Sequence, residues 1–169
     1  MTDSLDIRFL ETKNDFKKLE PFAASIWEQH YTPIIGADQV AFMLNKYQSA
    51  EVMFNQFSAG YKYALVIFGG QQAGYFAYDV KDQKEVFISK LYIHKDFRRR
   101  GLGRQVIDFI AKEAQALGCS TMTLSVNKDN SDSIQFYISY GFQTIKAQKV
   151  AIGEGFYMDD YVMSCPVQR

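Results

Sequence analysis

The chain has 169 residues, of which 47% are hydrophobic and 22% charged, and its 19 lysines and arginines balance 19 aspartates and glutamates. This length suffices for a full hydrophobic core, and we expect one domain over residues 1–169. A net charge of zero argues against partners that bind by overall electrostatic attraction, such as nucleic acid or an anionic membrane surface.

The N-terminal part predicts one strand followed by helices. Residues 7–10 read as a short strand, and from about residue 14 to residue 57 apolar side chains recur at helical spacing. Pro21 and the Thr32-Pro33 pair interrupt this pattern. Because proline disrupts a helix interior and disfavours helix in the residue before it, we expect two or three helices here.

The remainder predicts a sheet with two further helices. The stretch YKYALVIFGGQQAGYFAYDV reads as a hairpin that turns at Gly69-Gly70. The other predicted elements are strands at 85–93, 120–126, 142–150 and 156–164, and helices from about Gly101 to Gly118 and from 131 to 140. The sum is an α+β fold in which only the strands joined by the Gly101–Gly118 helix need be parallel.

The turn before that helix, within HKDFRRRGLGRQVIDFI, combines arginines with two glycines. The first amides of a helix have no intrahelical acceptor, and the helix dipole adds positive potential at the same place. Gly101 and Gly103 leave the backbone accessible, while Arg98, Arg99, Arg100 and Arg104 supply forked donors that suit phosphate oxygens. The turn therefore predicts a pyrophosphate site, and the alternative is a solvated basic turn.

Two common nucleotide motifs do not match this turn. A Walker loop requires GxxxxGK[ST], which is absent, and a dinucleotide fingerprint requires a third glycine where Val106 stands. The basic stretch is short enough to span one pyrophosphate, which disfavours a nucleic-acid polymer as the ligand. A small phosphorylated cofactor fits better.

LYIHKDFRRRGLG, followed some thirty residues later by NSDSIQFYISYGF, resembles the GNAT superfamily of N-acetyltransferases. The resemblance covers about residues 61 to 164, and in the earlier helices it extends to element type only. It implies a central, mixed, mostly antiparallel sheet of about seven strands, splayed at the cofactor site and flanked by helices. It also implies acetyl-CoA as co-substrate and a primary amine as acceptor, with no metal.

The resemblance assigns the cofactor site residue by residue. Leu91 and Ile93 match the strand that pairs with the pantetheine arm, and Asn130 matches an asparagine near that arm. The pyrophosphate loop corresponds to Arg98, Arg99, Arg100, Gly101, Leu102, Gly103 and Arg104. Two alternatives remain from the residues themselves: Asn130 as a plain helix N-cap, and Tyr137 as a core aromatic.

Tyr137 matches the family tyrosine placed beside the thioester sulfur. A phenol, with a pKa of about 10, can donate a proton to the thiolate that leaves. Several members of the family place a glutamate that acts as general base where this chain has Phe87. Glu85 lies two residues earlier on the same strand face and is the candidate base here, acting through water. The backbone N–H of Leu91 is the candidate group to polarise the thioester oxygen.

The acceptor is not specified by a short motif. A loose similarity in the EQHY and MDDYVM segments to bacterial polyamine acetyltransferases suggests a polyamine, and a peptide N-terminus is the other candidate. His30 and Tyr31 fall where the family builds its acceptor pocket. Because the strand glutamate is missing, the alternative function is a catalytically weak acetyl-CoA sensor or partner subunit.

Cys119 and Cys165 lie far apart and have no histidine at metal-ligand spacing, so we expect two buried free thiols and neither a disulfide nor a metal site.

The segment MTDSLDIRFL lacks the features of a signal peptide, and no apolar run reaches the roughly 18 residues of a membrane span. We expect a cytoplasmic protein with no membrane partner, in which an exposed C-terminal edge strand could pair two chains into a homodimer.

Overall fold

The computed structural model of the chain describes residues 4–167. The strands are β1 (Leu5–Phe9), β2 (Lys62–Phe68), β3 (Gln71–Lys81), β4 (Glu85–Ile93), β5 (Thr121–Asn127), β6 (Gln143–Gly153) and β7 (Phe156–Pro166). The α-helices are α1 (Lys13–Ile35), α2 (Ala37–Tyr47), α3 (Ala50–Ser58), α4 (Leu102–Ala116) and α5 (Ser131–Tyr140).

The strands form one sheet in the order β1-β2-β3-β4-β5-β7-β6. β4 and β5, which α4 connects, are parallel, whereas β1 with β2, β2 with β3, β5 with β7, and β6 with β7 are antiparallel. The predicted seven-stranded, mostly antiparallel mixed sheet with flanking helices is thus confirmed. β6 is an edge strand, and the homodimer that this edge suggested stays a prediction.

Three helices precede β2, as predicted, but the prolines do not separate them. Pro21 and Pro33 both lie inside α1, and the chain breaks instead at Gly36, with a φ of 86°, and before α3 at Ser49. A proline removes one backbone hydrogen bond. The buried face of α1 (Phe16, Leu19, Ala23, Ile26 and Trp27) outweighs that loss and keeps the helix continuous.

The described residues form two compact units, one of residues 4–79 with 90–106 and the other of residues 80–89 with 107–167. One domain over residues 1–169 therefore stays a prediction. The core of the first unit packs α1 and α3 against β2 and β3, and Phe16 contacts the rings of Phe54, Phe57 and Tyr63 at centroid distances of 5.2–5.7 Å.

In the second unit, strand register gives the sheet two unlike faces. One face is buried and apolar, with Met122, Leu124, Val126, Met163 and Cys165. The other face is the more polar one, with Thr121, Thr123, Ser125, Asn127 and Asp160, although it also carries Phe87 and Val162. Both cysteines are buried free thiols, as expected. Among residues 4–167, no helix has the length and apolar character needed to cross a membrane.

Candidate active site

The basic turn lies between β4 and α4. A short 3₁₀ helix, Lys95–Phe97, follows the end of β4, and α4 begins at Leu102. Arg99 and Gly101 have φ values of 63° and 75°. Positive φ is uncommon for a residue other than glycine, so the backbone of this turn holds an unusual conformation.

The backbone amides of this turn, from Arg99 through Gly103, have no hydrogen-bond acceptor among the described residues. The first backbone hydrogen bond of α4 runs from the Gln105 N–H to the Gly101 carbonyl at 3.1 Å. A Cβ placed on Gly101 would meet nothing within 4 Å, so the turn is open there. Successive free amides at a helix N-terminus form a concavity that suits an anion.

Two of the four arginines brace the turn. The Nε of Arg98 donates to the carbonyl of Ile93 at 2.9 Å, which ties the turn to the last residue of β4. The guanidinium carbon of Arg100 lies 5.6 Å from the ring centroids of both Phe68 and Phe97. Such cation–π contacts hold that side chain against the protein.

Arg99 differs from these two. Its side chain makes no hydrogen bond, ion pair or ring contact with any residue between 4 and 167, whereas Arg104 does have a partner in the protein. The sequence alone named all four arginines together as phosphate donors and did not rank them. The structure distinguishes them and leaves Arg99 as the guanidinium that is available to a ligand.

The last part of β4 carries Leu91 and Ile93, both half-buried. Its neighbour β3 approaches it closely at Gly74, where an added Cβ would lie 2.3 Å from the Tyr92 carbonyl oxygen. Only glycine fits this contact, because the opposing atom belongs to the backbone and cannot rotate away. The contact fixes the end of β4, from which the basic turn begins.

The second unit holds the other two predicted residues, Asn130 and Tyr137. Asn130 occupies the N-cap position of α5 and is 3% exposed, yet its side chain makes no capping hydrogen bond. Asn130 is therefore the N-cap residue by position, as the alternative predicted, but its side chain does not cap the helix. Tyr137 is buried on α5, and its ring contacts Phe136 and Phe142 at centroid distances of 5.4 and 5.7 Å.

Glu85 lies at the opposite end of β5 from Asn130. It is the first residue of β4 and pairs with Thr121, the first residue of β5, whereas Asn130 follows the last residue of β5. The parallel pairs run from Glu85–Thr121 to Ile88–Leu124. Glu85 therefore sits where β4 and β5 are hydrogen-bonded to each other.

Comparison with known proteins assigns the family. The sequence model of the acetyltransferase (GNAT) family matches residues 24–142, more than half of the chain. The chain belongs to the GNAT family. The match includes Leu91, Ile93, the turn Arg98–Arg104, Asn130 and Tyr137, and it ends before β6.

Individual GNAT proteins resemble this chain over part or all of its length. The [ribosomal protein bS18]-alanine N-acetyltransferase of Salmonella typhimurium is 31% identical over 85 residues, which are 49% of this chain and 57% of that protein. An uncharacterised N-acetyltransferase of Lactobacillus delbrueckii is 28% identical over 50% of this chain and 53% of its own length. The chain thus spans about half the length of these curated relatives.

Solved GNAT structures share the fold across nearly the whole chain. PaiA N-acetyltransferase from Thermoplasma acidophilum, solved in complex with coenzyme A, superposes with a TM-score of 0.80 at 18% identity, over 96% of this chain and 99% of that one. A GNAT acetyltransferase from Elizabethkingia anophelis with acetyl-CoA bound gives 0.65 at 11% identity, over 98% and 99%. The GNAT-like fold predicted from the sequence is confirmed.

The sequence analysis missed a buried lysine in this GNAT chain. Lys90 of β4 is 4% exposed, and its Nζ donates to the Tyr63 hydroxyl at 2.9 Å and to Gln56 Oε1 at 3.0 Å. The Tyr63 hydroxyl in turn donates to Gln56 Oε1. Burial lowers the pKa of Lys90 to about 8 and raises that of Tyr63. The sequence did contain a signal, because Lys90 lies in phase with Val86 and Ile88 along β4, and both of these residues are buried.

An aromatic cluster on α1 was also missed. Trp27 contacts Tyr31 at a centroid distance of 4.4 Å and Tyr92 at 5.6 Å, and Tyr31 contacts Tyr92 at 6.3 Å. His30 packs edge-on against Tyr31 at 4.8 Å. α1 continues past His30 and Tyr31 to Ile35, through the Thr32-Pro33 pair that was predicted to interrupt it. Within residues 4–167 no group of three or more His, Cys, Asp or Glu side chains is placed to hold a metal ion.

Proposed function

We propose that this GNAT protein transfers the acetyl group of acetyl-CoA to a primary amine by direct attack in a ternary complex. The observation that carries the proposal is the turn whose amides, from Arg99 through Gly103, have no acceptor in the protein. A diphosphate supplies oxygens that match such donors, and the Arg99 guanidinium adds charge beside them. The family match and the relatives with bound coenzyme A support acetyl-CoA as the source of that diphosphate.

The remaining assignments extend the proposal along the cofactor. The backbone of Leu91 and Ile93 pairs with the pantetheine arm as an added strand would, Leu91 N–H polarises the thioester oxygen, and Asn130 lies beside the arm. Leu102, Gly103 and Arg104 continue the phosphate site into α4. Arg98 and Arg100 act on the diphosphate indirectly, because their contacts hold the turn in shape.

The reaction needs a proton for the leaving group. The amine attacks the acetyl carbon, the C–S bond breaks as the tetrahedral intermediate collapses, and Tyr137 donates its phenol proton to the departing thiolate. The family glutamate is replaced here by Phe87, and Glu85, two residues earlier, is the base that the sequence offers in its place, acting through water. The acceptor is a small amine such as a polyamine, or a peptide N-terminus.

Cofactor binding tests the turn. Titration calorimetry should show that Arg99→Ala weakens acetyl-CoA binding about 10-fold without changing the melting temperature of the free protein, because Arg99 has no protein partner to lose. Arg100→Ala should lower both affinity and melting temperature, because it also removes the ring contacts. Lys112→Ala, an exposed cation on α4, is the matched control.

S-acetylpantetheine, which lacks the diphosphate, makes the test specific. Arg99→Ala should not change its affinity. Equal weakening of S-acetylpantetheine and acetyl-CoA would contradict a diphosphate role for this turn, and no binding of acetyl-CoA at millimolar concentration would contradict the proposed function.

Tyr137→Phe tests the chemistry. The variant should bind acetyl-CoA as the native protein does but release thiol from it about 100-fold more slowly in the presence of an accepted amine. An unchanged rate would remove Tyr137 from the mechanism. Acetyl-CoA binding without transfer to any amine of a broad panel would instead favour the sensor alternative.

A further inference from the structure

Asp160 is a buried carboxylate that the mechanism above does not use. It lies on β7 and is 5% exposed. Its neighbours across the sheet are Asn127 on β5 and Gln148 on β6, and neither carries a charge. The sequence model of the GNAT family matches residues 24–142 and ends before this strand.

The carboxylate of Asp160 makes no hydrogen bond or ion pair with any residue the structure describes. The charged groups that act on it are Asp159 and Lys128, and Lys128 already pairs with Asp159 at 2.9 Å. Burial, and to a smaller extent Asp159, raises the pKa of Asp160 to about 6. At neutral pH it is therefore a buried anion without its own counter-ion, a costly arrangement that calls for a partner.

Within its own unit, Asp160 lies beside the end of β5 from which the chain runs to Asn130 and α5. It lies opposite Asn127, the last residue of β5. The Asn130 N–H donates to the Asn127 carbonyl at 3.0 Å, and α5, which carries Tyr137, begins at the next residue. Asp160 lies on the same face of the sheet as Asn127, opposite the face of Met122, Leu124 and Val126. Although Asp160 as a whole is buried, its oxygens are not among the fully buried side-chain atoms of residues 4–167 that lack a hydrogen-bond partner, so a cationic solute can reach the carboxylate.

We propose that Asp160 binds the protonated acceptor amine and takes the proton that the amine must lose before it attacks. The inference rests on the proposed acetyl transfer and names its acceptor class, a cationic primary amine. Asp160 accepts one proton from the ammonium, and the free amine attacks the acetyl carbon. As the C–S bond breaks, the nitrogen loses a second proton, which replaces the one that Tyr137 gives to the thiolate. Asp160 then releases its proton to water.

Asp160 and Glu85 make different predictions for the base. Both share the polar face, but Glu85 pairs with the first residue of β5 and Asp160 with the last, about 20 Å apart along the strand. One bound amine cannot contact both carboxylates. Separate substitution of each therefore shows which one controls the rate.

The test compares pH profiles of kcat/KM, from about pH 5 to about pH 9, with spermidine and with a peptide that begins with alanine. The native protein should lose activity on the acid side with an apparent pKa near 6. Asp160→Asn should abolish this acid limb and lower kcat/KM at pH 7 by about 100-fold. Acetyl-CoA binding by Asp160→Asn should stay unchanged, which shows that the variant is folded.

Two further variants and one titration sharpen the comparison. Asp159→Asn should keep the acid limb but move it to lower pH, because the Asp159 charge helps to raise the pKa of Asp160. Asp129→Asn, an exposed carboxylate in the turn before α5, should leave the profile unchanged. In a carboxyl-carbon NMR titration, the accepted amine should lower the pKa of Asp160.

Three outcomes would overturn the inference. They are a native-like profile in Asp160→Asn, an acid limb that disappears in Glu85→Gln instead, and a native protein that binds acetyl-CoA but acetylates neither probe. In the third case the cofactor site would still stand. A native protein that does not bind acetyl-CoA would refute the proposed function itself.

Discussion

Lys90 allows a quantitative test of the buried polar network in the first unit. Its pKa is lowered to about 8 from an ordinary value of 10.5 because the side chain is almost fully buried. The folded state therefore binds fewer protons than the unfolded state between those values, so the free energy of unfolding rises as pH rises through this window. At pH 7, holding the charge in place costs about 3 kcal/mol.

Most of this cost disappears by moderately alkaline pH. With these two pKa values, the Lys90 contribution to the free energy of unfolding increases by about 2 kcal/mol between about pH 7 and about pH 9.5. Lys90→Met keeps a side chain of similar length but removes the charge. The Tyr63 hydroxyl keeps its hydrogen bond to Gln56, so neither group is left without a partner.

The assay is urea unfolding of the native protein and Lys90→Met at both pH values, with Lys84→Met as the control because Lys84 is exposed. The native protein and Lys84→Met should gain about 2 kcal/mol relative to Lys90→Met as the pH rises. Comparing the difference between variants cancels the titration of other groups, including the tyrosines. Parallel pH dependence in all three proteins would refute the reasoning.

Two further predictions concern backbone geometry and helix capping. Gly74→Ala should destabilise the protein by about 3 kcal/mol in urea unfolding, because its Cβ would lie 2.3 Å from the Tyr92 carbonyl oxygen. Gly70→Ala, where a Cβ meets nothing within 4 Å but φ is 80°, should cost only about 1 kcal/mol, and equal losses would refute the close-contact argument. Thr12→Ala should lower the free energy of unfolding by about 1 kcal/mol, because it removes the hydroxyl that accepts from the Asp15 N–H at 3.1 Å. No loss in that variant would show that the cap does not stabilise α1.

The sequence predicted the fold well wherever the signal was local. The bounds predicted for β4 and α5 match the structure, and Gly141 marks the end of α5 directly in the sequence. The extent of α1 was wrong because the burial of its apolar face is a tertiary effect, invisible in the spacing of Pro21 and Pro33. The first strand was predicted at residues 7–10 but spans residues 5–9, because pairing with β2 decides where β1 begins and ends.

The sequence located the basic turn but not the contacts of its side chains. The glycines and arginines located the turn. The sequence could not show that Arg98 and Arg100 contact other groups of the protein while the Arg99 side chain contacts none among residues 4–167. Those differences depend on rings and carbonyls that only the folded chain brings together. The same holds for Lys90, whose partners lie 27 and 34 residues away in the sequence.

The turn from Arg99 through Gly103 offers donors that every amino acid but proline possesses. The anion binding proposed for this turn depends on its torsion angles, so alanine scanning would underestimate it, whereas N-methylation or ester replacement of single peptide groups would reveal it. In a macromolecule with as many anionic as cationic side chains, such a turn adds the positive potential of backbone amides to the formal charge of the arginines beside it.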